Sequence, residues 1–391
     1  MSAHPLSACT IVSKNYLAYA RVLARSFREH HPDGRFFVLL VDRNDSHIDP
    51  ADEPFELLEV EDLTIPERAG FLFKYSIIEA NTAVKPYLLA HLFATHDLPR
   101  LAYLDPDILV TRRLEPILDG LDRASIVLTP HLDTPIDDDA HPNEQAILQA
   151  GTYNLGFIAL RRSDAVDRLL SWWQERLHDQ CVVRVEEGLF VDQKWIDLVP
   201  GLFTNEVAIL PDPGLNVAYW NLHGRELRRD GDDVSVNDQP LYFFHFSGID
   251  PERLEPVSKH QNRFRFGDLD AATQSLYRDY ARRVLDAGHR EARPWPYAFG
   301  TFADGSRIPD VARRLYLNMP PARRERFGDP FASGPGSYAA WLNESPKRSK
   351  RRPHLTRLLQ HLWRQRPDLQ RIFPDPAGED LSDFSAWALD Y

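Results

Sequence analysis

The stretch that most constrains the fold is residues 101–110, Leu-Ala-Tyr-Leu-Asp-Pro-Asp-Ile-Leu-Val. An apolar run enters two carboxylates and a second apolar run leaves them, which predicts a strand, a tight turn carrying Asp105 and Asp107, and another strand. Carboxylates one residue apart can face the same side of an extended backbone. They can then hold one hard divalent cation by oxygen and leave its other positions to phosphate oxygens and water. The bare spacing also occurs at Asp137/Asp139, Asp230/Asp232 and Asp268/Asp270, each in polar sequence that reads as a solvated loop. Only the first pair has strand-like runs on both sides. The alternative for that pair is an ordinary acidic turn.

At 391 residues and 43% hydrophobic content the chain can bury a sizeable core, with a length prior of about two domains. A formal net charge of -12 argues against general nucleic-acid binding, which needs a basic face. Cys9 and Cys181 are too few for a disulfide framework, and Cys9 lies in an apolar run where a thiol packs as a small hydrophobe, so a reducing compartment is expected. The N-terminus has no charged-then-apolar leader, and no run approaches about 18 apolar residues. The expected location is cytoplasmic.

Residues 8–12 form a short apolar run. A helical pattern follows at Leu17, Ala20, Leu23, Ala24 and Phe27, and a second strand at 36–41 is closed by Asp42. Strand, helix, strand implies parallel pairing and a ligand crevice at the carboxyl ends of the strands, where Thr10, Asn15, Tyr16 and Asp42 fall. Neither GxGxxG nor GxxxxGK[ST] occurs, so a nucleotide must be held in another way. Residues 55–60 read as a third strand. A long helical pattern over 73–93 contains Lys74, Lys85 and Tyr87, with a fresh helix start at Pro86. Lys85 at that break either points to the crevice or is a solvated helix-end lysine.

Residues 125–129 predict another strand, 131–141 a polar loop, 143–149 a short helix and 151–160 a strand with Asn154 and Gly156 at its entry. Glycine there lets something approach the backbone closely. The asparagine either binds sugar hydroxyls or caps the strand. A capped helix is expected over 163–177, with Trp172 and Trp173 as core. Asp192 and Gln193 open a short helix, which Asp192 alternatively caps. Strands are expected at 208–210 and 217–220, a charged turn at 225–238, and an apolar run at 241–248 in which His245, taken alone, reads as a satisfied core histidine.

Composition shifts at 251–256, which divides the chain into residues 1–255 and an arginine-rich, helical region 256–391. Helical patterns cover 271–287, 311–317 and 355–363. Within this region Pro321, Phe327, Asp329-Pro330, Tyr338 and Trp341 recur 46 residues later as Pro367, Phe373, Asp375-Pro376, Phe384 and Trp387, the mark of a duplicated structural unit. The basic cluster Lys347 to Arg352 reads as a solvated loop or as a contact for anionic lipid head groups or a lipid diphosphate.

Together these residues resemble a GT-A glycosyltransferase, most similar to the retaining, metal-dependent family 8 enzymes and their bacterial relatives. Residues 101–110 are close to the family's "LYLDxDilV" strand. Asn15-Tyr16 resembles its "nxxY" segment, and Lys85 falls where the family usually has an arginine near the donor diphosphate. Tyr153-Asn154-Leu155-Gly156 resembles "fNsG", Asp192-Gln193 the "DQ" pair, and His245-Phe246-Ser247-Gly248 the "HfxG" metal histidine. Lys259 is a counterpart of the lysine in "GxxKPW", although no Pro-Trp follows it and the spacing is longer. The Asp-Pro and aromatic-Ala-Trp units look like those beside transferase domains in bacterial polysaccharide enzymes.

The resemblance implies an α/β fold, a GT-A (Rossmann-like) mixed sheet flanked by helices, with a mainly helical C-terminal domain. It implies Mn2+ or Mg2+ held by Asp105, Asp107 and His245, and a nucleoside diphosphate sugar, UDP-linked, as donor. Thr10, Asn15, Tyr16, Asp42, Asp105 and Gly248 would bind the nucleotide, with Lys85 and Lys259 holding its diphosphate. Asp192, Gln193 and Asn154 would line the transferred sugar. The implied acceptor is a glycan or lipid-linked saccharide at the inner membrane face. Nucleotidyl transfer or phosphodiester hydrolysis could also use the carboxylate pair, but should need more carboxylates near the metal. A carbohydrate-binding protein on a degenerate transferase fold should have lost one of Asp105, Asp107, Asp192 and His245.

Overall fold

The computed structural model describes residues 4–231, 233–345 and 355–390; Asp232 and the basic cluster 347–352 lie outside the described residues. Its sheet is built from β1 (Ser7–Val12), β2 (Phe36–Leu40), β3 (Glu56–Glu59), β4 (Arg100–Leu104), β6 (Ile126–Leu128), β7 (Phe157–Arg161) and β8 (Val207–Ile209), while β5 (Ile108–Val110) and β9 (Phe243–His245) form a separate two-stranded ribbon. The sheet order is β8-β6-β7-β4-β1-β2-β3. β1 pairs in parallel with β2 and β4, and β2 with β3, whereas β7 runs antiparallel between β4 and β6. This is the mixed sheet flanked by helices expected from the sequence. The chain leaves β1 toward β2 on one side and returns as β4 on the other, so a crevice opens between the carboxyl ends of β1 and β4.

The central strands read as continuous apolar runs because they are buried on both faces: every residue of β1, β2 and β4 is buried. One core cluster joins Ala8, Val12 and Val38 to Leu17, Leu23 and Phe27 of the helix Leu17–His30.

Some expectations are corrected. The helical pattern over 73–93 is three helices, Arg68–Lys74, Ile77–Ala83 and Lys85–Thr95, the last with Pro86 in its first turn. Residues 217–220 form no strand; Val217 makes a single bridge to Phe244 before the chain turns. Residues 225–238 are no mere charged turn. Leu227–Asp230 pairs antiparallel with Asp233–Val236, and Val236 with Gln239, through a turn whose Asn237 and Asp238 both have positive φ. Arg228, Arg229, Asp230, Asp233 and Asp238 are exposed, while Arg225, Leu227, Val234 and Val236 are buried. The Val-x-Val alternation was the overlooked signal.

The chain forms two compact units, one from Met1–Thr64 and Glu79–Tyr297, the other from Ile65–Ile78 and Ala298–Tyr391. The boundary expected at 255/256 is therefore displaced. Helix Ala271–Asp286 belongs with the first unit because Leu276, Tyr277, Tyr280 and Val284 share a core with Phe244, Phe246 and Val257. In the second unit Arg313 donates to the carbonyls of Phe73, Tyr75 and Phe299, which ties the early segment to the late one.

The duplication is geometric as well as sequential. Tyr338 and Trp341 stack at 5.6 Å and 20°, and Phe384 and Trp387 at 5.9 Å and 8°. Phe327 and Phe373 each stand 5.3 Å from the first ring of their pair. The repeat also extends further toward the N-terminus than the sequence showed, since Asp310–Leu317 and Arg357–Gln365 are its corresponding first helices.

Candidate functional site

β4 ends at Leu104 and β5 begins at Ile108, so the turn between them carries both carboxylates out of the sheet. The Asp105 N–H donates to the Gly156 carbonyl (2.7 Å) and the Ile108 N–H to the Asp105 carbonyl (3.1 Å), which fixes the turn. β9 pairs antiparallel with β5 in a register that sets His245 opposite Ile108, and the Phe246 N–H donates to the Asp107 carbonyl (2.9 Å). The ribbon thus delivers an imidazole from 140 positions away in sequence, 245 against 105, onto the carboxylate turn. His245 Nε2 stands 3.0 Å from Asp107 Oδ1 and 3.7 Å from Asp105 Oδ2. One ligand atom from each of the three residues lies within 4.8 Å of the others.

Gly156 is the floor of this site. A Cβ there would stand 2.4 Å from His245 Cε1, so the close approach that the glycine permits is that of the histidine ring. Trp220 meets the same ring edge-on at 5.1 Å. The Tyr103 hydroxyl donates to Asp105 Oδ1 (2.7 Å). Burial works to lower the His245 pKa, but Asp107 and then Asp105 outweigh it and hold the ring above its ordinary value. The cluster therefore attracts positive charge. Two carboxylates and one imidazole are a donor set that fits Mn2+ better than Ca2+.

Asp192 and Lys85 meet behind this cluster. Lys85 Nζ is 2.5 Å from Asp192 Oδ2, donates to the Leu155 carbonyl (2.7 Å) and lies 4.1 Å from the centre of the Tyr103 ring. Both side chains are buried. Burial raises the Asp192 pKa above the usual carboxylate range, with Lys85 pulling it back. Asp192 makes no side-chain cap to the helix Gln193–Ile196 that follows it, so its partner is the lysine. The structure places Lys85 against a protein carboxylate, away from solvent.

Gln193 and Asn154 hold the backbone. Gln193 Oε1 accepts from the Leu155 N–H (2.9 Å) and its Nε2 donates to the Ala150 carbonyl (3.0 Å). Asn154 Oδ1 accepts from the Gly156 N–H (3.2 Å) and from Asn216 Nδ2 (3.0 Å), and its Nδ2 lies 3.0 Å from His131 Nε2. These two amides shape the 150–156 loop under the site. His131, Asn216, Tyr103, Tyr219 and Trp220 complete the surroundings and were not singled out in the sequence: Tyr103 reads as an ordinary strand residue of β4, and the others come from segments that form no regular strand or helix.

At the β1 edge, Thr10 is fully buried on the core side with Ala8 and Val12, and its hydroxyl has no hydrogen-bond partner among the described residues. Asp42 is buried and accepts from the Arg43 N–H (2.8 Å); Lys14 approaches it at 3.5 Å and pairs with Asp45 at 2.7 Å. These contacts fix the turn Lys14–Tyr16, which leaves Asn15 half-buried and Tyr16 41% exposed over the crevice. Gly248 adopts φ +76°, and a Cβ there would meet Ser258 Oγ at 2.6 Å; its carbonyl accepts from the Lys259 N–H (3.2 Å). The Lys259 side chain is exposed.

His131 also has a consequence for stability. Burial pushes its pKa down to about 4, and does the same for His31, whose Nε2 accepts from the Leu114 N–H. Unfolded histidine titrates near 6.5, so the unfolded chain binds more protons between those values and stability falls as pH drops through that window. Each ring should cost about 2 kcal/mol at about pH 5. Urea unfolding at about pH 7.5 and about pH 5 checks this. His131→Gln should remove its share of the difference.

No family model matches the chain. The uncharacterized protein YfnF of Bacillus subtilis (strain 168) is 30% identical over 257 residues, which span 61% of this chain and 80% of YfnF. The uncharacterized protein YfnD of the same organism is 25% identical over 248 residues, 61% of this chain and 76% of YfnD. The chain belongs to the same family as YfnF. Among solved structures it is similar to the galactosyltransferase LgtC in complex with donor and acceptor sugar analogs, at 18% identity and a TM-score of 0.41 over 72% of this chain and 95% of LgtC. It is also similar to the glycosyltransferase GlyE of Streptococcus pneumoniae TIGR4, at 12% identity and a TM-score of 0.41 over 76% of this chain and 67% of GlyE.

Proposed function

We propose that the chain is a glycosyltransferase that moves a hexose from a nucleoside diphosphate sugar, UDP-linked, to a glycan or lipid-linked saccharide, with retention, in surface polysaccharide or glycoconjugate synthesis. The observation that carries this reading is the convergence of Asp105, Asp107 and His245 within 4.8 Å at the crevice. In a chain of net charge -12 a bound metal cation would offset the repulsion between protein and diphosphate, and this cluster can hold one. The motifs that surround it resemble those of family 8 transferases. They appear in the same order along the chain.

In this reading Asp107 and His245 hold the metal directly and Asp105 shares it with the ribose. Bound Mn2+ would act as a Lewis acid on the donor's diphosphate and ease departure of the nucleoside diphosphate. Tyr16 stacks on the base while Asn15 binds its edge, with Asp42 fixing their turn from below. Lys259, exposed beside Gly248, holds the diphosphate as a point charge. Asp192, whose carboxyl burial pushes up and Lys85 pulls back, faces the sugar ring to offset positive charge there, and Gln193 and Asn154 position the loop beneath it. Lys85 then acts on the donor through Asp192. With no separate nucleophile assigned, the leaving phosphate accepts the acceptor's proton in a front-face transfer.

A panel of nucleoside diphosphate sugars incubated with the protein and Mn2+ tests the reading. Release of free UDP from one UDP-sugar, dependent on Mn2+ and rising with added saccharide acceptor, is the expected result. Retention would appear as an unchanged anomeric configuration in the product's NMR spectrum. Absence of release from every donor would count against catalysis and favour a binding protein on this fold.

A further inference from the structure

Helix Ala271–Asp286 lies beyond the residues that match the transferase motifs, yet it packs against the strand that carries His245. Tyr280 of this helix stacks face to face on Phe246, with ring centres 3.9 Å apart and planes 4° from parallel. Phe246 is the residue whose N–H holds the Asp107 carbonyl. On its other side Tyr280 approaches Tyr19 (6.5 Å), on which Tyr16 stacks at 4.9 Å, and His289 meets Tyr19 edge-on at 5.5 Å. Three tyrosines thus run from the exposed crevice to Phe246, which follows His245, with exposures of 41% for Tyr16, 4% for Tyr19 and 0% for Tyr280.

The Tyr280 hydroxyl is the anomaly in this row. It is buried and has no hydrogen-bond partner among the described residues. Phenylalanine would make the same stack without the cost of desolvating a hydroxyl, so packing on Phe246 does not explain the oxygen. The Asp107 charge acts on the Tyr280 phenol, after burial, to raise its pKa, as do Tyr19 and Tyr16, which places the hydroxyl within reach of the site's field.

Resting on the reading that the crevice takes a nucleoside diphosphate, we propose that Tyr280 is a donor-recognition residue whose hydroxyl bonds an oxygen of the nucleoside. Tyr16 is the exposed cover of the row. When it lifts from Tyr19 to stack on the base, it uncovers the face of Tyr19, whose ring stands 6.5 Å from that of Tyr280. The oxygen that enters is either a ribose hydroxyl or a carbonyl of the base, both of which can accept from a phenol.

Tyr280→Phe removes only the oxygen and keeps the stack. Calorimetric titration of UDP in saturating Mn2+ into the full chain should show about a five- to tenfold weaker Kd in this variant, with an unchanged or higher melting temperature. Titration with 2′-deoxy-UDP separates the two sources. Equal affinity of the variant and wild type for that nucleotide assigns the bond to the 2′-hydroxyl, and a persistent loss assigns it elsewhere on the nucleoside. Unchanged UDP affinity in Tyr280→Phe would overturn the proposal, as would a lower melting temperature, which would show that the hydroxyl serves the fold. If wild type itself binds no nucleotide, the underlying transferase reading fails instead, and the inference goes with it.

Discussion

Gly156→Ala should strip the site of its histidine. The added Cβ would stand 2.4 Å from His245 Cε1 and 2.8 Å from both His245 Nδ1 and Asn154 Oδ1. The ring has little room to retreat, since Trp220 meets it edge-on at 5.1 Å and its backbone is held in β9 by the Val217 carbonyl. Overpacking of this kind costs about 1–3 kcal/mol. Moving one ligand by several tenths of an ångström should weaken metal binding by about ten- to a hundredfold, the range seen when the support of a metal ligand is removed. A Mn2+ titration beside thermal melts would show both effects. Unchanged Mn2+ affinity would mean that His245 is no ligand.

The second large effect is expected from Lys85→Met. Asp192 is buried, and Lys85 is the cation that lowers its pKa against the upward pressure of burial. Removing one partner of such a pair costs about 3–5 kcal/mol, because a carboxylate is left without compensation in a dry site. The sign of its pH dependence follows. A carboxyl whose folded pKa lies above its unfolded value is fully tolerated below the unfolded value, and stability is lost as pH rises through the folded one. The variant should therefore be much weaker than wild type at about pH 8 and closer to it at about pH 5, as measured by urea unfolding. Adding Asp192→Leu should recover part of the stability without recovering transfer. Equal loss at both pH values would show that the lysine serves packing alone.

The carboxylate turn was legible in the sequence because its signals were local. Apolar runs on both sides of Asp105 and Asp107 are a strand–turn–strand pattern, and that is where the turn lies. His245 was a different case. Within its apolar run it looked like a core histidine, and the resemblance to "HfxG" alone implied a ligand; the β5–β9 register, a long-range pairing, brings it to Asp107. Lys85 was legible as a helix-start residue, with the crevice and solvent both open to it, and nothing local shows that Asp192 lies against it. Asn154 was open between sugar binding and a strand cap, and Gln193 was placed beside the sugar by the resemblance alone; the structure shows the hydrogen bonds of both amides running to the loop and to His131. Tyr280 was invisible because a tyrosine at helical spacing reads as core, which its ring is. Only the unsatisfied hydroxyl sets it apart. The helix that carries it was assigned to the wrong side of the domain boundary, since a shift in composition at 251–256 does not report which core a following helix joins.

The most direct test of the central claim is isothermal calorimetry of UDP, with and without Mn2+, on wild type and on Asp107→Ala. The transferase reading predicts UDP binding to wild type that requires Mn2+ and is lost in Asp107→Ala, with the variant's melting temperature close to wild type. UDP binding that is indifferent to Mn2+ or to Asp107 would contradict the metal site, and no binding of UDP or GDP under any of these conditions would return Asp105 and Asp107 to an ordinary acidic turn.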